Sequence, residues 1–156
     1  MANELLSFST VDPSALHNYC IRIAAENGQY DLVCLLLEDS RVDPSDNSNA
    51  ALFAAASNGH TSIVTRLLND PRVDPSDGNA FIVAAENGYK EIVKELLKDP
   101  RVEATCQRNY AVLAAGERGH EEVVKVLLEC EDVRQMLFQD SQLQTNKKPD
   151  QDCIIC

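Results

Sequence analysis

The chain has 156 residues, 44% of them apolar, and a net charge of −11 from 14 Lys and Arg against 25 Asp and Glu. That balance sets aside nucleic-acid binding through phosphate neutralisation and points to partners with basic surfaces. The 6 cysteines, irregularly spaced apart from the last pair, form no disulfide framework and suit a reducing cytosol.

In chain order, Met1-Ala2-Asn3-Glu4 carries no basic leader, and Ala2 stands where N-myristoylation needs glycine. Leu5-Leu6 and Val11-Asp12-Pro13-Ser14 share the spacing of Leu36-Leu37 and Val42-Asp43-Pro44-Ser45, so the chain opens on half a repeat. Four fuller copies follow. They read Ala24-Ala25…Gly28…Leu32-Val33…Leu36-Leu37, Ala55-Ala56…Gly59…Ile63-Val64…Leu67-Leu68, Ala84-Ala85…Gly88…Ile92-Val93…Leu96-Leu97 and Ala115-Gly116…Gly119…Val123-Val124…Leu127-Leu128. The glycines lie 31, 29 and 31 residues apart, the period of a stacked repeat array. The longest apolar stretch, Ala50 to Ala56, is too short to span a membrane.

The second copy shows the design. Leu52, Ala55 and Ala56 fall on one face of a short helix, which Asn58-Gly59 ends, because glycine accepts a left-handed C′ position. Ile63, Val64, Leu67 and Leu68 mark one face of a second helix, closed by Asp70-Pro71. Val73-Asp74-Pro75-Ser76-Asp77 is a turn segment with one buried valine. Helices this short depend on their neighbours, and the paired alanines let adjacent first helices approach closely.

With these residues on the page, the pattern resembles the ankyrin repeat, in its short variant whose linker reads Asp-Pro-Arg-Val-Asp-Pro-Ser, whole at Asp70 to Ser76. Gly59-His60 and Gly119-His120 match the family's glycine-histidine. The family's Thr-Pro-Leu-His is replaced by Tyr19-Cys20-Ile21-Arg22, Ala50-Ala51-Leu52-Phe53, Asn79-Ala80-Phe81-Ile82 and Tyr110-Ala111-Val112-Leu113. The resemblance implies an all-α solenoid over residues 1–138, with repeats at about 15–45, 46–76, 77–105 and 106–134 and shortened inter-repeat fingers. Met136, Leu137 and Phe138 are expected to cover the open end, and 139–156 to form a flexible tail.

The family binds through loop tips and the concave face of its first helices. Carried over, that gives Glu26, Asn27, Ser57, Asn58, Glu86, Asn87, Glu117 and Arg118, with Asp46, Asp77 and Arg108 in the adjoining turns. This is a mostly acidic strip with one basic end. His60 and His120 are read as structural, and His17 stands alone. No nucleophile, base and acid can be matched, no phosphate loop is present, and no metal spacing or cofactor is implied.

The last four residues, Cys153-Ile154-Ile155-Cys156, fit a prenylation signal, with the lipid on Cys153. The expectation is a monomeric, non-enzymatic interaction module in the cytoplasm, tethered by that lipid to the cytoplasmic face of membranes. Repeats paired with such a signal resemble host-directed effectors of intracellular bacteria as well as eukaryotic adaptors. The alternative is a soluble inhibitor that occludes an enzyme such as a kinase, as inhibitors of this fold do.

Overall fold

Each repeat turns its glycine-marked segment into a helix–turn–helix pair. The computed structural model describes residues 12–102 and 105–129, the side chains of 105–108 excepted. The pairs are α1 (Ala15–Glu26) with α2 (Tyr30–Glu38), α3 (Asp46–Ser57) with α4 (Thr61–Leu68), α5 (Asn79–Glu86) with α6 (Lys90–Leu97), and α7 (Thr105–Glu117) with α8 (Glu121–Glu129). No strand occurs among the described residues, as an all-helical solenoid requires. The opening half-repeat at Leu5-Leu6 and the covering residues Met136, Leu137 and Phe138 lie outside the described residues.

Helices of 8 to 13 residues are marginal alone in water, so the stack itself holds them. Each helix packs on its partner and on the equivalent helices of the neighbouring pairs. Ala24-Ala25, Ala55-Ala56 and Ala84-Ala85 are 1% exposed or less, and these methyl side chains bring the first helices together more closely than the second helices. The stack therefore bends with α1, α3, α5 and α7 on its concave side. Leu36, Val64, Leu67, Val93, Leu96 and Leu127 fill the layer behind them, and the linker valines Val42, Val73 and Val102 are buried as expected.

The turn into each first helix explains the odd 29-residue interval. Asp43 and Asp74 each accept the backbone N–H of the serine two residues on, at 3.0 Å, in an Asx-type turn. In the first two copies the opening turn of the first helix then passes through three left-handed residues, Leu16-His17-Asn18 in α1 and Asn47-Ser48-Asn49 in α3. In the third copy Gly78 alone, at φ +69°, makes the turn, and two residues drop out. Left-handed geometry costs non-glycine residues roughly 1–2 kcal/mol each, and side-chain bonds offset it. Asn18 Oδ1 accepts the Asp43 N–H at 2.8 Å while its Nδ2 donates to Asp46 at 2.8 Å. Asn49 accepts the Asp74 N–H at 3.1 Å and donates to the Asp74 carbonyl at 2.8 Å.

The linker arginine is the second tie between repeats. Arg72 grips Asp70 bidentately, Nε to Oδ1 at 2.9 Å and Nη2 to Oδ2 at 2.8 Å. The same guanidinium donates backwards to the Val42 carbonyl at 2.7 Å and the Leu37 carbonyl at 2.9 Å. Arg101 repeats the arrangement with Asp99, Val73 and Leu68. A cation thus sits on the carbonyl end of the preceding second helix, where the helix dipole favours it. Asp39 and Arg41 form the same bidentate pair one repeat earlier.

Gly116 stands where the other copies bury an alanine, yet it is exposed, and a Cβ built there meets nothing within 4 Å. Gly116→Ala should raise stability by about 0.5–1 kcal/mol, read as a higher unfolding midpoint in urea, by reducing the freedom of the unfolded chain.

The arginines hold the carboxyls of Asp70 and Asp99 below the ordinary range, and that of Asp39 at about 2. Carboxyls that titrate lower when folded stabilise the fold above the unfolded value of about 3.9, and that contribution disappears as pH falls through the folded values. Melting temperature should hold from neutral pH to about pH 5 and then drop steeply toward pH 2. Arg72→Lys should cost roughly 1.5–3 kcal/mol at neutral pH, since an ammonium cannot reproduce the fork.

Candidate functional site

The residues before and after each inter-helix glycine hold the array together. His60 Nε2 donates to the Glu26 carbonyl at 2.9 Å, and His120 Nε2 to the Glu86 carbonyl at 3.0 Å. Each imidazole lies against the glycine of the preceding repeat. A Cβ on Gly28, already at φ +72°, would come within 2.7 Å of His60. The structural reading of both histidines holds. His17 is exposed, with Nδ1 3.8 Å from Asp46.

The asparagines of the expected binding strip each hydrogen-bond to a helix-end carbonyl, Asn27 and Asn58 while exposed. Asn27 Nδ2 donates to the Ile23 carbonyl and Asn58 Nδ2 to the Ala54 carbonyl, both at 2.9 Å, so each caps its own helix end. Asn87 Nδ2 reaches across to the Ser57 carbonyl at 3.1 Å. All three spend their amides on the scaffold, a role that their place beside the glycine did not reveal.

The other strip residues divide between two rims of the concave face. Glu26, Ser57, Glu86, Glu117 and Arg118 lie at the ends of the first helices, with Glu86 3.5 Å from Arg118. Asp46 and Asp77 lie at the starts of α3 and α5. Asp77 accepts from the Asn79 backbone at 3.1 Å, and hydrogen bonds from Asn18 and Asn47 lower the Asp46 carboxyl. The side chain of Arg108 lies outside the described residues, as does Cys153.

Between the rims runs a floor that the strip omits. Phe53, Ile82 and Leu113 each stand six residues before their repeat's glycine, so they share one register on α3, α5 and α7. Phe53 is 43% exposed and Leu113 63%, with Tyr19 and Tyr110 also exposed on the same face. Arg22 holds that register in α1, its guanidinium 5.1 Å from the Tyr19 ring centroid. A groove of about 530 Å³ opens along α1 and α3, lined by Arg22, Ile23, Glu26, Phe53, Ala54 and Ser57 among others. One sequence signal could have found these residues: apolar side chains stand in the histidine position of the Thr-Pro-Leu-His run.

Stacked helix pairs, inward glycines and histidines on the preceding repeat's carbonyls agree with the comparison to known families. The family model for ankyrin repeats in three copies matches residues 21–107 and again 81–148. The chain is an ankyrin-repeat protein. No curated protein matches it. Ankyrin repeats are protein–protein interaction modules, and the surface such an array offers is the long face between the two rims. No helix of the described residues is long and apolar enough to cross a membrane, and no group of three or more His, Cys, Asp or Glu among them could hold a metal ion.

The scaffold and surface residues of the strip separate by experiment. Asn87→Ala should lower stability by about 1 kcal/mol through loss of the inter-repeat hydrogen bond, whereas Glu26→Gln, at an exposed rim position, should leave the urea midpoint within about 0.5 kcal/mol.

Proposed function

We propose that this ankyrin-repeat chain is a non-enzymatic adaptor that takes a protein partner on the concave face of its first helices. The observation that carries the reading is the shared register of Phe53, Ile82 and Leu113, apolar side chains left on a face that the stack has no need to cover. The rims add Glu26, Asp46, Asp77, Glu86 and Glu117, which favour a partner with a basic surface and act chiefly on the rate of encounter.

A second, separate part of the reading concerns the membrane. With Cys156 as the C-terminal residue, Cys153-Ile154-Ile155-Cys156 offers a cysteine followed by two aliphatics for prenylation at Cys153. Lys147 and Lys148 are offset by Asp150 and Asp152, and the overall charge of −11 opposes anionic lipid. One prenyl chain with no polybasic support anchors weakly, so attachment is partial until a membrane-bound partner adds avidity.

One set of full-length proteins tests both parts. After expression in prenylation-competent cells, intact mass should show a prenyl adduct that Cys153→Ser abolishes; an unmodified C-terminus retaining Cys156 removes the anchor. Capture of partners from the same cells should fall with Phe53→Asp and with Leu113→Asp. Reversal of Glu86 and Asp77 should slow association more than it speeds dissociation, with the effect fading as salt rises above about 0.1 M. Capture indifferent to all four substitutions removes the concave-face reading.

A further inference from the structure

The concave face has a cross-section that selects its occupant. Its floor is apolar, with Ile23, Phe53, Ile82, Val83 and Leu113 as the large side chains. One rim carries Asp46 and Asp77 at the helix starts, beside Asn47, Ser48 and Asn79 where the groove opens. The opposite rim carries Glu26, Glu86 and Glu117 at the helix ends, together with the Arg118 cation, 3.5 Å from Glu86. An apolar floor between two mostly acidic rails, with Arg118 at the fourth-repeat end, is complementary to a segment with an apolar stripe flanked on both sides by cations. A stripe with two flanks is a property of an amphipathic helix.

The spacing of the floor makes the same choice. Packed helices lie about 8–10 Å apart, so Phe53, Ile82 and Leu113 recur along the stack at about that interval. A helix laid across the first helices rises about 1.5 Å per residue and presents the same face every two turns, so its positions i, i+7 and i+14 recur at about 10 Å. An extended strand spans about 10 Å in three residues, but positions i and i+3 point to opposite sides, while i+2 and i+4 fall short of the interval or beyond it. Arg22 closes the first-repeat end of the floor and stacks on Tyr19, so the cationic flanks belong over repeats two to four.

Resting on the concave-face reading above, we infer that the partner segment is a basic amphipathic α-helix that lies across the first helices. It places an apolar residue every seventh position onto Phe53, Ile82 and Leu113, with Lys or Arg on both flanks facing the acidic rims. The mode is a helix in a groove, with the groove built from four short helices side by side.

The test is selection of a displayed random peptide library, with no spacing imposed, on the full chain. Enriched sequences should show apolar residues at a seven-residue period with Lys or Arg beside them. Synthetic copies should gain helical circular dichroism on binding, and Phe53→Asp or Leu113→Asp should weaken them about tenfold or more. Both residues are well exposed, so the variants should keep the wild-type melting temperature. Enriched sequences that lack the period and bind without helix, yet still depend on Phe53, overturn the helical occupant and leave the concave-face reading standing. Peptides indifferent to both substitutions overturn that reading as well, and a selection that enriches nothing overturns the inference.

Discussion

Every helix in this chain is too short to persist alone, and each ends in carbonyls that its own repeat does not satisfy. The next repeat supplies the missing donors. Arg72 reaches the carbonyl of Leu37 near the end of α2, His60 the carbonyl of Glu26 at the end of α1, and Asn87 the carbonyl of Ser57 at the end of α3. Beneath these polar ties the alanine pairs let first helices meet at close range, which makes the imidazoles and guanidiniums long enough to bridge. Remove the close approach and the bridges fail; remove the bridges and these helix-end carbonyls lose their donors.

This division of labour determines what the surface can do. At the repeat junctions the three asparagines beside the glycines each give one amide N–H to a helix-end carbonyl, although Asn27 and Asn58 stay exposed. What remains outward on the first helices is the register of Phe53, Ile82 and Leu113 and the two rims of carboxylates. The scaffold is thus insensitive to the identity of the floor residues, which is why such a face can carry phenylalanine, isoleucine and leucine in succession without disturbing the core behind it.

Much of the fold was legible because the signals are local. Glycine at a left-handed turn, alanine where backbones meet, and a valine in the linker each do a job set within a few residues, and each recurs in phase. Arg72 was not legible, because its partners lie 30 and 35 residues upstream and nothing near it in sequence announces them. Asn58 is exposed, as a polar residue before a turn suggests, but the hydrogen bond from its amide to the Ala54 carbonyl had no cue in the sequence. Phe53 and Leu113 were overlooked for the opposite reason: apolar residues on a short helix are taken as core until a neighbouring helix is placed and found to leave them bare. The left-handed runs at Leu16-His17-Asn18 and Asn47-Ser48-Asn49 carry no glycine, and their asparagines are a weaker cue to that geometry.

The backward reach of the arginines also has a direction in time. The guanidinium that completes the first repeat belongs to Arg72, and the one that completes the second belongs to Arg101, each arriving some 30 residues after the carbonyl it bonds. On a ribosome adding about 5–20 residues per second, each guanidinium is synthesised roughly 2–6 seconds after the carbonyl it bonds. During synthesis, then, no repeat can be latched by its arginine until the following repeat has been made.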